Sequence, residues 1–275
     1  MVIRDKNIQR NLLGLRVEDW TFQKLINTLD DAIINIYPIH VWGISVIQFP
    51  LVKKFPEIID FTKSFDIVVA DGAGVPIFGK LLGQKISEHL GLPYVSEEMI
   101  KLAAQKGYSL LLFGATPRIN MEAQQEILKR YPNINLLPGI CGYFGSKDEK
   151  NIAKKIHDLK PDILLVGMSF PLKEKFLLRW KDYMKIPVSI ACGGYFDVLA
   201  GKTRLAPKFL ERMAMSWFWR FSQEPKRLLY RMLINAIIFV FYILPVSYFG
   251  RIMNHLSFMH IYSLMHIKNK FSNNY

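Results

Sequence analysis

The sequence is poor in the residues that build metal and redox sites. Its 275 residues include only two cysteines, Cys141 and Cys192, which stand far apart and outside any Cys-x-x-Cys pair. This usage predicts neither a disulfide framework nor a zinc site. A reducing cytoplasm suits such a chain. Residues 1–15 contain no apolar run of signal-peptide length, so we expect no export.

Several catalytic fingerprints are also missing. The chain contains no Gly-x-Gly-x-x-Gly loop, Walker loop, His-Glu-x-x-His or Gly-x-Ser-x-Gly elbow. It also lacks an Asp-x-Asp pair that would hold a divalent ion against a diphosphate. The remaining chemistry is group transfer by base catalysis and electrostatics, for which we expect no cofactor and no metal.

Acidic residues are scarce in the last quarter of the chain. Residues 202–275 contain 11 Lys and Arg but only two Glu, which is a net charge of +9 out of the total of +13. We therefore divide the chain into an α/β catalytic domain over residues 1–201 and a basic, aromatic, helical appendage over residues 202–275. Such an appendage suits nucleic acid, anionic lipid or a diphosphate.

The appendage contains an apolar segment, residues 232–249, of 18 residues without a charge. This length meets the lower bound for a bilayer span. However, Asn235 and Pro245 lie inside it, and residues 208–231 mix aromatics with cations as an interfacial helix does. A span, a segment lying on an anionic membrane surface and a buried core helix all remain open. Aromatic residues among arginines also occur in proteins that bind single-stranded nucleic acid. The adjacent apolar segment 232–249 argues against nucleic acid as the ligand, because such a segment does not suit a surface exposed to solvent.

The first 201 residues alternate between short apolar runs and helical patterns. The predicted strands are His40–Ile47, Phe65–Ala70, Ser109–Phe113, Ile134–Leu137, Ile163–Val166 and Val188–Cys192. The predicted helices are Thr21–Ala32, Leu51–Ser64, one from Val75, Glu97–Gln105, Ile119–Arg130, Asp148–Leu159 and Lys173–Met184. The alternation predicts an α/β fold with a mostly parallel sheet and helices on both faces.

Asp71 follows the strand Phe65–Ala70 in a turn, Asp71-Gly72-Ala73-Gly74. The position lies at the carboxyl edge of the sheet, where open α/β folds bind ligands. A carboxylate there can act as a general base or bind a sugar hydroxyl. Alternatively, Asp71 only caps the helix that follows. Ligand-type groups are expected at the same edge in other loops: Ser45, Gly114–Thr116, Gly167–Glu174 and Gly193–Asp197.

Six motifs stand in a consistent order between residues 35 and 231. They are DGAGVP with LLG (71–83), GYF (142–144), PDILLVGMSFPLKEK (161–175), GGYFDVLAGK (193–202), AP (206–207) and W-x-x-R-x-x-x-EPKR (217–227). Together they resemble the WecG/TagA/CpsF glycosyltransferases, carbohydrate-active family 26.

The resemblance implies a Rossmann-like catalytic body, a UDP-sugar donor, a polyprenyl-diphosphate-linked saccharide acceptor and inversion at the anomeric carbon. It implies a role in bacterial surface or exopolysaccharide synthesis at the cytoplasmic face of the plasma membrane. The appendage would meet the membrane and complete the site, and self-association is known in the family.

The resemblance also assigns residues. Asp71 falls on the family's proposed base, and Arg220, Arg227 and Arg231 fall on appendage arginines that could neutralise a diphosphate. Gly193, Gly194 and Asp197 would be nucleotide-side loop positions, unless they only end a strand and cap a helix. The other expected substrate-binding positions are Ser45, Gly72, Gly114, Gly142, Tyr143, Lys173 and Glu174.

The chain departs from the family pattern at several positions. Gly43-Ile44-Ser45 stands where the family has Thr-x-Asn, and Lys173 replaces the glutamine expected near the uracil. Met215-Ser216-Trp217 replaces Leu-Glu-Trp, and Arg204 is shifted from its place before Ala-Pro. These changes leave open an alternative function, that of a catalytically impaired, membrane-associated partner in a polysaccharide assembly system.

Overall fold

The computed structural model describes residues 8–207, 209–210, 215–223, 225, 237, 241 and 245. The strands are β1 (Gln9–Leu12), β2 (Leu15–Glu18), β3 (Ile39–Ile44), β4 (Ile67–Ala70), β5 (Leu110–Gly114), β6 (Ile163–Gly167) and β7 (Val188–Ile190). The helices are α1 (Phe22–Ile34), α2 (Gln48–Leu51), α3 (Glu57–Ser64), α4 (Gly74–Leu81), α5 (Leu92–Lys106), α6 (Pro117–Arg130), α7 (Glu149–Leu159), α8 (Leu172–Met184), α9 (Tyr195–Leu199) and α10 (Ser216–Gln223). A short 3₁₀ turn covers Ser146–Asp148.

The strands form one seven-stranded sheet in the order β1-β2-β4-β3-β7-β6-β5. Only the β1–β2 pair is antiparallel, and every other neighbouring pair is parallel. From β3 the chain moves outward to β4, then crosses to β5 at the opposite edge and returns inward through β6 to β7. The carboxyl ends of β3 to β7 therefore meet at one edge, on either side of the β3–β7 junction.

Helices cover both faces of the sheet. Alternate residues of β3 point to opposite sides, so Val41 packs with α1, α5, α6 and α9, while Trp42 packs with α3, α4, α7 and α8. The two hydrophobic clusters formed in this way, one on each face of the sheet, are almost fully buried. The predicted α/β class, with a mostly parallel sheet and helices on both faces, is confirmed.

The N-terminal hairpin of β1 and β2 was not predicted, since residues 1–38 read as a polar segment followed by a helix. Leu12, Leu15 and Val17 are buried while the residues between them are not fully so, a short alternation that is easily overlooked. Leu13 and Gly14 turn the chain with φ angles of 51° and 86°, as a tight hairpin turn requires. The hairpin extends the sheet beyond β4.

Three other predicted boundaries are wrong. The strand predicted over Ile134–Leu137 forms one isolated bridge, between Leu136 and Leu110 of β5, and the N–H of Gly139, which would continue the pairing, donates to Oε1 of Gln124 instead. The single helix predicted over Leu51–Ser64 is split into α2 and α3 before Pro56. The helix predicted from Glu97 starts five residues earlier at Leu92, with Pro93 in its first turn.

In the described part of the chain, every helix is too short or too polar to cross a membrane. Most of the apolar segment 232–249 lies outside the described residues, so the three alternatives for it stay predictions.

Candidate active site

The carboxyl edge of the sheet gathers the loops that the sequence singled out. Ser45 follows β3, Asp71 follows β4, Gly114 ends β5, and Gly193 is the third residue after β7. Register fixes their neighbourhood, because Ile44 pairs with Ala70 and Gly114 pairs with Gly167. The topology thus brings these predicted ligand-binding residues of the α/β domain to one edge of the sheet.

Asp71 lies beside β3. Its backbone N–H donates to the carbonyl of Ile44 at 2.8 Å, which is the last bond of the pairing between β3 and β4. A Cβ added at Gly43 would lie 2.7 Å from the Cβ of Asp71 and 2.9 Å from Cδ1 of Leu92. The glycine therefore leaves the space that Asp71 occupies.

The carboxylate of Asp71 faces the N-terminus of α5. Its Oδ1 accepts a long hydrogen bond of 3.4 Å from the N–H of Leu92, the first residue of that helix. Gly91 supplies no side-chain cap for α5, and the cap residue of α4, Ala73, supplies none for α4. Asp71 therefore lies at the N-terminus of α5, where the helix dipole favours negative charge. The alternative that Asp71 caps α4, the helix that follows it, stays a prediction.

Ser45 and Gly72 border Asp71 on its two sides. The hydroxyl of Ser45 donates to Oε1 of Gln48 at 2.6 Å, and its N–H donates to the same oxygen at 2.9 Å. Gly72 has a φ of 91°, and a Cβ placed there would meet no atom within 4 Å. Ser45 thus shapes the turn into α2, while Gly72 leaves open space beside the carboxylate.

A cleft opens where β5 and β6 end. A Cβ at Gly114 would lie 2.4 Å from the carbonyl oxygen of Gly167, and one at Gly142 would lie 2.8 Å from Cα of Gly114. Glycine at these positions lets three backbone segments touch. The resulting cleft has a volume of about 510 Å³ and is lined by Ala115, Gly142, Tyr143, Phe144, Gly145, Gly167, Met168, Ser169 and Leu172. Tyr143 forms an exposed rim, with 75% of its surface accessible.

A buried asparagine, which the sequence reading did not single out, supports this cleft. Nδ2 of Asn120 lies within 3.0–3.2 Å of the carbonyl oxygens of Leu112, Gly114 and Ile140. Its Oδ1 accepts from Gln124 at 2.8 Å. The carbonyls of Leu112 and Ile140 also accept backbone N–H groups, from Ile140 and Gly114, so Asn120 adds a third connection between the end of β5 and the segment at Ile140.

A buried ion pair stands at the start of α8, next to the cleft. Nζ of Lys173 lies 2.5 Å from Oε1 of Glu174, and the same oxygen accepts from the indole N–H of Trp42 at 2.9 Å. Glu174 is fully buried, and its Oε2 has no hydrogen-bond partner in the structure. The carboxylate therefore contacts the core and Lys173, so Lys173 is the member of the pair closer to solvent.

The loop after β7 lies against Lys173. Gly193 has a φ of 55°, and a Cβ there would be 4.0 Å from Cε of Lys173. Gly194 is exposed with open space around it. Asp197 forms an ion pair of 3.4 Å with Lys202. Burial raises the pKa of the neighbouring Cys192 thiol to about 12, so this cysteine stays protonated at neutral pH.

The short helix α9 is held by a network that the sequence reading missed. The phenol of Tyr195 donates to Oε2 of Glu97, and Oε1 of Glu97 pairs with Arg130 at 2.5 Å. Burial, followed by the charge and hydrogen bond of Glu97, raises the pKa of Tyr195 well above its usual value. The next residue, Phe196, packs its ring where a Cβ of Gly167 would come within 2.8 Å.

Of the three appendage arginines, only the backbone of Arg220 is described, within α10. Arg227 and Arg231 lie outside the described residues. Among the residues that the structure does describe, no group of three or more His, Cys, Asp and Glu side chains is arranged to hold a metal ion.

A parallel sheet with a carboxylate and a glycine-lined cleft at its carboxyl edge is an architecture suited to group transfer. The family model described as "Glycosyl transferase WecG/TagA/CpsF family" matches residues 10–251. The chain belongs to this family and is a glycosyltransferase of cell-envelope polysaccharide biosynthesis.

Curated relatives carry a more specific name. The chain is similar to the N-acetylglucosaminyldiphosphoundecaprenol N-acetyl-beta-D-mannosaminyltransferase of Bacillus subtilis, with 29% identity over 66% of this chain and 70% of the relative. The protein of the same name from Staphylococcus aureus strain MRSA252 is 25% identical over 82% of this chain and 89% of the relative.

Proposed function

We propose that the protein is an inverting transferase that moves a sugar from a UDP-sugar to a polyprenyl-diphosphate-linked saccharide. The observation that carries the proposal is the placement of Asp71, held over Gly43 at the carboxyl edge of the sheet. The names of the relatives suggest the reaction to try first, transfer of N-acetylmannosamine to N-acetylglucosaminyl-diphosphoundecaprenol.

Asp71 acts as the general base in this proposal. It takes the proton of the acceptor hydroxyl while that oxygen forms a bond to the anomeric carbon. The bond between the anomeric carbon and the phosphate oxygen breaks, and UDP leaves with the electron pair. Attack from the face opposite to UDP inverts the anomeric centre.

The cleft beside β5 and β6 receives the donor. Its volume of about 510 Å³ falls in the range of small-ligand pockets, and its glycines let a ligand approach the backbone closely. Lys173 brings a cation to the adjacent loop, and Glu174 holds it there. We assign Lys173 to the nucleotide side because it contacts the loop at Gly193.

The appendage supplies the remaining positive charge. Arg220, Arg227 and Arg231 neutralise a diphosphate, for which the planar guanidinium fork is suited. The basic and apolar residues from position 202 onward support a location at the cytoplasmic face of the plasma membrane, where a polyprenyl acceptor is confined.

A donor screen tests the proposal. The full-length protein, with detergent or lipid, is incubated with individual UDP-sugars and a short-chain polyprenyl-diphosphate N-acetylglucosamine, and UDP release is measured. Turnover of one donor, with product of inverted configuration, is expected. Folded protein that turns over no donor would contradict the proposal and favour the catalytically impaired assembly partner.

A further inference from the structure

Side chains of helix α10 bind the backbone of Arg204. The N–H of Arg204 donates to Oε1 of Gln223 at 2.6 Å, and Nε2 of Gln223 donates back to the carbonyl of Arg204 at 3.0 Å. The indole N–H of Trp219 donates to the same carbonyl at 3.1 Å. Both backbone groups of Arg204 are therefore bound by side chains of α10.

The other end of this short segment is attached beside Asp71. The phenol of Tyr94 donates to the carbonyl of Ala206 at 3.0 Å, and Ala206 is buried. Tyr94 lies in the first turn of α5, two residues after Leu92, whose N–H donates to Asp71. Residues 204–206, which we call the strap, thus connect the first turn of α5 to α10.

We propose that Tyr94 and Gln223 are positioning residues that hold α10, and with it Arg220, in a fixed place relative to Asp71. The catalytic consequence rests on the proposed function, because Arg220 acts on the diphosphate only there. The attachment itself is independent of what the enzyme transfers.

The chemistry of the two side chains fits this role. A primary amide offers an acceptor and a donor side by side, so Gln223 can bind the N–H and the C=O of one residue at the same time. Glutamate in its place would keep the acceptor and lose the donor. Tyr94 needs only its hydroxyl for the strap, so phenylalanine removes the contact and keeps the packing of the ring.

The experiment compares the full-length protein with Gln223→Ala, Gln223→Glu and Tyr94→Phe. Gln105→Ala and Tyr183→Phe, at exposed positions of α5 and α8, are the matched controls. Hydrogen–deuterium exchange is followed in peptides that contain Arg204 and α10. Steady-state kinetics give kcat and a separate KM for donor and for acceptor.

Exchange at Arg204 and in α10 should rise about tenfold in Gln223→Ala, since both hydrogen bonds between Gln223 and Arg204 are lost, and less in Gln223→Glu. Tyr94→Phe should also raise exchange in the strap. With an active enzyme, kcat should fall and KM should rise for the substrate whose diphosphate Arg220 binds, while KM for the other substrate stays the same. A general loss of folded protein would lower kcat alone and leave both KM values unchanged.

Unchanged exchange in Gln223→Ala and Tyr94→Phe would overturn the attachment. Raised exchange with unchanged kinetics would show that the strap exists but does not position the site, which also overturns the proposal. If the parent protein turns over no donor, the proposed function fails, and the exchange data still decide whether these two side chains hold α10.

Discussion

The Cβ of Asp71 occupies the space that a side chain at Gly43 would need, since a Cβ built there would come within 2.7 Å. Gly43 lies in β3 and Asp71 directly follows the neighbouring strand β4, and the register of the two strands is fixed by the pairing of Gly43 with Val69. The absence of a side chain at position 43 is thus a requirement for the placement of the carboxylate.

Gly43→Ala should displace Asp71 and Leu92. We expect a loss of about 1–3 kcal/mol in the free energy of unfolding from overpacking. Turnover should fall by about 10²-fold, because a misplacement near 1 Å has this effect on a reacting group. Denaturant titration and UDP release measure the two effects.

Gly74→Ala is the matched control for this substitution. A Cβ there meets Cγ1 of Val46 at the same distance, 2.7 Å, but does not press on Asp71. It should cost comparable stability and keep most of the activity. Equal losses of turnover in both variants would show that crowding in general, and not the position of Asp71, is responsible.

Asp71→Asn tests the general base directly. Loss of the base should lower kcat by roughly 10²–10⁴-fold, while binding of UDP is kept. Asp148→Asn, at an exposed position outside the cleft, serves as the control. Calorimetric titration with UDP and the rate of UDP release are the measurements. If the Asp71→Asn variant turns over as fast as its parent, the proposed mechanism is ruled out.

Removal of divalent metal ions by a chelator tests which groups neutralise the substrate diphosphate. The sequence lacks an Asp-x-Asp pair, so Lys173 and the appendage arginines are expected to offset the charge of the diphosphate. Transfer measured by UDP release should then persist in excess EDTA. Loss of activity with EDTA, and its recovery on adding Mg²⁺ or Mn²⁺, would remove the arginines from this role.

A pair at the opposite edge of the sheet should control acid stability. Oδ2 of Asp66 accepts from Nδ1 of the buried His40 at 2.8 Å and from its backbone N–H at 2.9 Å. Burial alone would raise the pKa of Asp66, but the hydrogen bonds and charge of His40 outweigh it, so the pKa is lowered. A carboxyl whose pKa is lower in the folded protein than in the unfolded chain stabilises the fold at any pH above its unfolded-state pKa. This contribution is lost as the pH falls through the folded-state pKa.

Asp66→Asn should therefore lower the free energy of unfolding by about 1–3 kcal/mol at pH 7. Between about pH 5 and pH 3, below the range in which histidine titrates, the difference from the parent should shrink as the Asp66 carboxylate is protonated. Urea titrations at several pH values measure it. Asp158→Asn, which breaks an exposed pair with Lys154, should leave the free energy of unfolding nearly unchanged. A difference for Asp66→Asn that grows between about pH 5 and pH 3 would contradict the assignment.

Features of the fold that depend on a local residue pattern could be predicted from the sequence. The apolar run before Asp71 and the glycines after it predicted a strand and a turn, and the structure has β4 and α4 there. Repetition of this pattern predicted the parallel sheet, and parallel strands place their carboxyl ends together. The edge location of Asp71 followed from these two facts.

Contacts between distant segments could not be predicted in the same way. Gly43 and Asp71 are 28 residues apart, and nothing in the local pattern of β3 shows that Asp71 covers it. Tyr195 reaches Glu97 and Tyr94 reaches Ala206 through the tertiary fold. The burial of Glu174 likewise depends on Trp42, which lies 132 residues away. Such contacts determine which predicted residues can face a ligand.

The last prediction separates two roles of the appendage arginines. Replacing Arg220, Arg227 and Arg231 together by glutamine removes three cations, each worth about 1 kcal/mol of attraction to an anionic membrane. Replacing Arg251, Lys268 and Lys270 removes the same charge from the end of the chain and is the matched control. Flotation with anionic liposomes should weaken to a similar extent in both variants.

The two variants should differ with a water-soluble acceptor analogue that carries the diphosphate, because membrane binding then no longer limits the rate. We expect the control to transfer as fast as the parent. The variant at positions 220, 227 and 231 should transfer about 10²-fold more slowly than the parent, because three contacts to a phosphate group are lost. Hydrogen bonds to charged groups contribute about 1.5–3 kcal/mol each, and their contributions are not additive. Full recovery of that variant on the soluble acceptor would mean that the three arginines serve the membrane surface and not the diphosphate.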